Sequence, residues 1–340
     1  LKAIRFHEHG GPDVLRYEDV DEPVAGPGEA VVRVRACALN HLDLWQRRGI
    51  ERVRIPFPHI SGADVAGEVA SAPGGEYGVG RRVMLQPGLS CGRCLACLDG
   101  RDNECPSYDV LGYRSDGGYA EYVKVPVQNL IAIPDAIGFV EAAAFPLAFL
   151  TAWHMLMTRA QLRAGEDVLV IGAGSGVGQA AIQIARRHGA RVFATAGSDE
   201  KLAKARQLGA YDVVNHTTQD VPAVIKELTN GRGVDVVVEH VGTATWDRSL
   251  KCLVRAGRLV TCGATTGHDA SVDLRFLFGR QLSLLGSYMG RKGELLRAAQ
   301  FFFSGELHPV VDHTYPLAEA AEAHRRLESR QQFGKIVLVA

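Results

Sequence analysis

Cys91, Cys94, Cys97 and Cys105 fall in the spacing C-x2-C-x2-C-x7-C, and the other three of the seven cysteines, Cys37, Cys252 and Cys262, stand apart. An odd count with one tight cluster favours a metal site over a disulfide framework, which belongs to short secreted chains. Four thiolates on one loop suit a tetrahedral zinc with every coordination position filled, a structural site with none left for a reactant. Iron–sulfur ligation uses the same x2 spacings and a Cys-Pro like Cys105-Pro106, but its last gap is three residues where this one is seven. Free or disulfide-linked cysteines are the remaining alternative.

A second chemical pattern begins at Val168, where an apolar strand runs into Gly172-Ala-Gly174-Ser175-Gly176-Val177-Gly178 and then into a helix-like run of small and apolar residues. Glycines allow a tight turn and let the main chain approach a pyrophosphate, while the helix start supplies N–H donors and a positive dipole end. The alternative is a glycine turn that only permits close helix packing. A site for NADH normally ends its second strand with an acid, about twenty residues on. Here that strand ends Ala194-Thr-Ala-Gly197-Ser198, and Asp199 and Glu200 fall in the first turn of the next helix, where the dipole already favours them. Ser198 and Lys201 are spaced to meet a 2′-phosphate. The expected cofactor is therefore NADPH, with NADH as the alternative.

The elements that carry these patterns divide the chain. Over the first 130 residues, short strand-like runs such as Ala30–Ala36, Val65–Ser71 and Tyr119–Val125 are punctuated by Gly and Pro, with turns at Pro23–Pro27 and Ala72–Gly75. From residue 165, apolar strands alternate with helices, the pattern of a parallel sheet. The expected strands are Asp167–Ile171, Arg191–Ala196, Asp212–Asn215, Val234–Glu239, Gly257–Gly263 and Leu282–Ser287. The expected helices are Gly176–His188, Asp199–Leu208, Val221–Leu228 and Trp246–Val254. Two helices (Leu295–Phe303 and Leu317–Leu327) and a strand (Lys335–Val339) remain, too few for a third domain, and are expected to rejoin the first. The fold class is α/β: a doubly wound parallel Rossmann sheet over residues 136–289, plus a β-rich domain from residues 1–135 and 290–340. In such a sheet, ligands meet the turns at the carboxyl ends of the strands, here His240-Val241-Gly242, Gly263-Ala264 and Ser287-Tyr288.

With 38 basic and 38 acidic residues mixed along 340, the chain has no sustained field to draw it to nucleic acid or a membrane surface. No apolar run reaches the roughly 18–20 residues of a membrane helix. The amino terminus lacks the apolar core of a signal peptide. A cytoplasmic location and a small-molecule partner are expected.

Together, the β-rich first domain, the cysteine lobe, the internal Rossmann domain and the returning chain resemble the medium-chain dehydrogenase/reductase superfamily over essentially the whole length. The resemblance implies a GroES-like catalytic domain. It also implies subunits joined as a homodimer or homotetramer through the edge strand Gln281–Ser287, which would otherwise expose unpaired backbone. Zinc alcohol dehydrogenases of that superfamily hold a catalytic zinc through three residues, whose places align here with Asn40, Ala63 and Leu147. Leu42 stands in place of their relay hydroxyl, and Trp45 stands near the relay's terminal histidine. Alanine and leucine have no lone pair to give a metal. Asn40-His41-Leu42-Asp43 instead looks like the Asn-x-x-Asp of zinc-independent quinone oxidoreductases.

The implied activity is hydride delivery from NADPH to a quinone, an α,β-unsaturated carbonyl or an aldehyde, without catalytic zinc and with one structural zinc per chain. Asn40 would donate a hydrogen bond to the nicotinamide ribose or the acceptor oxygen, and Asp43 would fix that loop. His41 aligns with a residue near the pyrophosphate, Thr151 with one that reaches the cofactor, and Lys335 with a basic residue near its phosphates. Trp45, Phe57 and Phe149 are candidates for an apolar acceptor pocket or for core. His59, Asp64 and His154 form a weaker candidate metal set, since solitary histidines are more often structural. The competing readings are a zinc-dependent alcohol dehydrogenase and a non-enzymatic NADPH-binding sensor or structural protein.

Overall fold

The computed structural model describes residues 1–51, 53–74 and 77–340. Gly75, at the end of the expected turn Ala72–Gly75, lies outside them. The chain divides into two compact units, Leu1–Leu147 with Arg291–Ala340, and Ala148–Gly290.

In the first unit, β1 (Lys2–Arg5) pairs antiparallel with β2 (Arg16–Asp19). There follow β3 (Glu29–Ala38), α1 (His41–Arg48), β4 (Asp64–Ser71), β5 (Arg82–Leu85) and β6 (Gly88–Leu89). After α2 (Leu95–Leu98) come β7 (Asp109–Val110), β8 (Tyr122–Pro126), β9 (Leu130–Ala132) and α3 (Phe139–Ala144), and α4 (Pro146–Trp153) runs across the boundary between the units.

The second unit strings together β10 (Asp167–Val170), α5 (Gly176–Arg187), β11 (Arg191–Ala196), α6 (Asp199–Gln207), β12 (Asp212–Asn215) and α7 (Val221–Leu228). It continues through β13 (Val234–Glu239), α8 (Trp246–Lys251), β14 (Leu253–Thr261), α9 (Leu274–Gly279) and β15 (Ser283–Gly286). The chain then returns to the first unit as α10 (Lys292–Phe303), β16 (Val311–Pro316), α11 (Ala320–Glu328) and β17 (Lys335–Val339).

The six strands of the second unit lie in the order β12-β11-β10-β13-β14-β15, all parallel. The order reverses between β10 and β13, the switch point where doubly wound sheets bind their ligands. Leu169, Phe193, Val237 and Leu259 are fully buried within it, and each such side chain contributes about 1.5–3 kcal/mol by leaving water. The helices start where the sequence provides caps. Ser175 accepts the Gly178 N–H at 2.8 Å at the head of α5, and Asp220 accepts the Ala223 N–H at 2.9 Å at the head of α7.

The main sheet of the first unit runs β16-β17-β3-β4-β5-β9, with β8 also on β3. Two antiparallel registers matter for the site. Ala38 lies opposite Asp64 across β3 and β4, and Val337 opposite Ala38 across β17 and β3. Continued two residues further, the second register brings Lys335 across from Asn40.

The structure shifts several expected element boundaries by a few residues, among them the two between α8 and β14. The helix expected over Trp246–Val254 ends at Lys251, and the strand expected from Gly257 begins at Leu253. Leu253 is buried opposite Val234, and Ala256 takes a positive φ of 60° where the register slips before Arg258 rejoins Val236. The burial gained by Leu253 outweighs one further helical turn.

Candidate active site and zinc lobe

The cysteine lobe is a loop between β6 and β7, folded around α2. All four Sγ atoms lie within 4.8 Å of one another. Cys94–Cys97 is 3.5 Å, Cys91–Cys105 3.6 Å and Cys91–Cys97 4.0 Å. A tetrahedron with Zn–S bonds of about 2.3 Å has edges of about 3.8 Å, whereas a disulfide needs about 2.05 Å. The donor set therefore fits a tetrahedral zinc. Main-chain N–H groups of Arg93 and Cys94 lower the Cys91 thiol to about 6, favouring the thiolate that binds metal. Among the described residues, no other cluster of three or more His, Cys, Asp or Glu side chains converges in this way.

In the second unit, the glycine loop sits at the switch point. Gly172 has φ +71° and donates its N–H to Thr195 Oγ1 at 3.1 Å, tying the loop to β11. A Cβ at Gly178 would stand 2.3 Å from the Gly172 carbonyl oxygen, so helix and turn approach in a way only glycine permits. Gly174 lies in the turn, and Gly176 and Val177 open α5, where first-turn N–H groups have no intrahelical acceptor.

Ser175 Oγ contacts His240 Nε2 at 3.1 Å. Burial lowers the His240 pKa and keeps the imidazole neutral, able to accept that hydroxyl proton. The loop is thereby joined to the turn after β13. Glu239, fully buried, accepts the Val241 and Gly242 N–H groups at 3.0 Å each and the Thr245 hydroxyl at 2.6 Å. A Cβ at Gly263 would meet the His240 carbonyl oxygen at 2.8 Å, which places Gly263 and Ala264 beside the same turn. Two further candidate residues carry unspent polar atoms: Thr151 Oγ1 and Ser287 Oγ are shielded from solvent and have no hydrogen-bond partner among the described residues. A glycine cradle with orphaned hydroxyls suits a polar, phosphate-bearing ligand.

Beyond β11, Ser198 caps α6, its Oγ accepting the Lys201 N–H at 3.4 Å, and Gly197 leaves room for His216 and Thr217. Asp199 is held by Asn215 at 3.1 Å. Ile171, Thr195, His216, Thr245 and Arg248 line one depression. Burial, then the positive charges of Arg248 and Lys201, lower the His216 pKa, so two cations face this end of the sheet.

In the first unit, Asn40, Asp64 and Lys335 converge as their registers require. Lys335 Nζ donates to Asn40 Oδ1 at 2.6 Å and to Asp64 Oδ2 at 2.8 Å. Asn40 Nδ2 donates to Asp64 Oδ2 at 3.0 Å, and the Leu147 N–H to Asp64 Oδ1 at 2.7 Å. Lys335 is 3% exposed and Asp64 fully buried. The lysine expected at the cofactor phosphates thus has its head group committed to this ion pair. Asp43 accepts the Asn40 main-chain N–H at 2.8 Å, closing the entry to α1. Burial raises Asp43 to about 6. His41 begins α1 with its ring against Trp45. Phe57 is 43% exposed, whereas Phe149 is fully buried and belongs to core. Of the weaker candidate metal set, His59 bonds the Gly112 carbonyl, and Asp64 is spent on Lys335.

Sequence reading passed over Glu239, His216, Arg248 and Tyr119. An acid closing the run Val236-Val-Val-Glu239 was a readable signal for a turn organiser. An arginine on a helix surface, such as Arg248, carries no such mark.

Residues 26–135 match the family described as alcohol dehydrogenase GroES-like domain, and residues 176–304 the family described as zinc-binding dehydrogenase. A quinone oxidoreductase of Pseudomonas aeruginosa is 33% identical over 354 residues, covering 99% of each chain. A 2-haloacrylate reductase of Burkholderia sp is 31% identical, covering 100% of this chain and 99% of its own. A crystal structure described as an NAD-dependent alcohol dehydrogenase is 47% identical, with a TM-score of 0.97 and 100% coverage of both chains.

Proposed function

Because the chain belongs to the medium-chain dehydrogenase/reductase superfamily and is an oxidoreductase, we propose that it passes hydride from NADPH to a quinone or α,β-unsaturated carbonyl without a catalytic metal. The observation that carries this reading is the Lys335–Asp64 ion pair bonded to Asn40. It borders Asn40, Ala63 and Leu147, the positions that align with the zinc ligands of the zinc-dependent relatives. The Lys335 ammonium already balances the Asp64 carboxylate, and Ala63 and Leu147 offer a divalent ion no donor. A quinone oxidoreductase and a 2-haloacrylate reductase among the relatives favour an acceptor that is already electrophilic.

When bound, the dinucleotide supplies the hydride. The chain's own part is to hold and polarise. Gly172, Gly174, Ser175, Gly176 and Val177 receive the pyrophosphate, with His41 toward it. His240, Val241, Gly242, Gly263, Ala264, Thr151 and Ser287 border the rest of the cofactor. Gly197, Ser198 and Lys201, joined by Arg248, receive the 2′-phosphate, and the tethered Asp199 supports NADPH over NADH. Asn40 donates its amide N–H to the acceptor oxygen or the nicotinamide ribose, and Asp43 holds the loop. The four cysteines hold one structural zinc. The chain works in the cytoplasm as a homo-oligomer joined through β15. No helix is long and apolar enough to cross a membrane among the described residues.

The test is turnover: NADPH oxidation by phenanthrenequinone and cyclohexenone, with negligible ethanol oxidation. Chelator-sensitive alcohol turnover would defeat the reading. A second reading, NAD-dependent alcohol oxidation, is favoured by the 47% identical structure of that description, and the same panel decides between them.

A further inference from the structure

We infer that Lys335 is a positioning residue that decides which end of the Asn40 carboxamide is presented to the acceptor. The inference rests on the reading of Asn40 as the hydrogen-bond donor. An amide can be turned over without changing its shape, and its two ends differ only in what they bond. Here both ends are specified. Lys335 Nζ has donors only, so the atom 2.6 Å away must be the carbonyl Oδ1. The Asp64 carboxylate only accepts, so the atom 3.0 Å from its Oδ2 must be Nδ2. The flipped amide would set donor against donor and acceptor against acceptor at once.

The consequence falls on the remaining Nδ2 hydrogen. Among the described residues, its other acceptor is the Ala38 carbonyl at 3.5 Å, the outer limit of a hydrogen bond, which leaves it for a reactant oxygen. Asn40 is also the partly exposed member of the trio, while Asp64 and Lys335 are buried. The reactant therefore meets the amide, and the lysine acts through it. Asp43 fixes the main chain of the same residue, so backbone and amide plane are each held by a different group.

A double-mutant cycle on the full chain, with NADPH and phenanthrenequinone as probes, tests this. Asn40→Ala removes a donor to the developing oxyanion and lowers kcat about 100-fold. Lys335→Met lowers kcat about tenfold or more and leaves the NADPH Kd within about twofold, and the double variant is no slower than Asn40→Ala alone. Lys335→Arg, which keeps a donor-only head, recovers most of the loss. If Lys335→Met fails to fold, the Lys335→Met/Asp64→Asn pair, which buries no lone charge, carries the same expectation. Multiplicative losses in the cycle, or a raised NADPH Kd with unchanged kcat, would overturn the lysine's role while Asn40 stands. Full activity of Asn40→Ala would overturn the reading of Asn40 itself, and the inference with it.

Discussion

The Tyr119 hydroxyl donates to Asp43 Oδ2 at 2.8 Å, the same oxygen that accepts the Asn40 main-chain N–H. Since the phenol spends its one proton there, His324, 3.3 Å away, meets it through a protonated Nε2. Burial, then Arg47 and Arg48, push His324 down to about 3, so the imidazole stays neutral. The loop carrying Asn40 is thus anchored from α11 through two fully buried rings. Arg47, also buried, adds an ion pair to Glu328.

This anchoring gives Asp43 a pH signature. Burial lifts it from 3.8 to about 6. Below about pH 4 folded and unfolded chains both hold the proton, and between about 4 and 6 only the folded chain does. The group's contribution therefore falls as pH rises through that window, by up to roughly 3 kcal/mol. Denaturant unfolding of the native chain and Asp43→Asn at pH 4 and pH 7 should show their stability difference shift by this order, against the native chain at pH 7. An equal difference at both values contradicts it.

Cofactor choice should respond to two cations. On the proposed NADPH reading, Lys201→Ala and Arg248→Ala would each remove a charge-assisted partner of the 2′-phosphate, worth about 1.5–3 kcal/mol. Fluorescence titration should find the NADPH Kd raised about 10- to 100-fold and the NADH Kd nearly unchanged. Equal weakening of both cofactors would assign these residues to the fold instead.

Glu239 is expected to organise the turn at His240–Gly242. Glu239→Gln sets an amide NH2 against donors now satisfied by the carboxylate. A loss of about 1–3 kcal/mol in stability and weaker binding of both NADPH and NADH follow. Unaltered affinity with lowered stability would remove the turn from the cofactor site.

What was legible in the sequence was what short spacing encodes. The cysteines, the glycine loop and the parallel strands with their helices could be read directly, because each is one turn or one period long. The Asn40–Asp64–Lys335 trio could not, since its members lie 24 and 271 residues apart and meet only through the registers of β3 with β4 and β17. Tyr119 and His324, separated by 205 residues, escaped for the same reason. The helical period runs on through Leu253, whose burial opposite Val234 is a tertiary fact that no local period records.

The cysteine lobe should separate folding from chemistry. Cys97→Ser lowers zinc content from one to near zero per chain and lowers Tm by roughly 5 °C or more. Zinc retained at one per chain would mean the metal sits elsewhere.

The most direct test of hydride transfer without a catalytic metal is zinc-edge X-ray absorption on protein that is turning over phenanthrenequinone, with metal counted in the same sample. One zinc per chain, with four sulfur neighbours at about 2.3 Å and no nitrogen or oxygen shell, is the expected result. Two zincs per chain, the second ligated by nitrogen or oxygen and lost together with activity on chelation, would contradict the account.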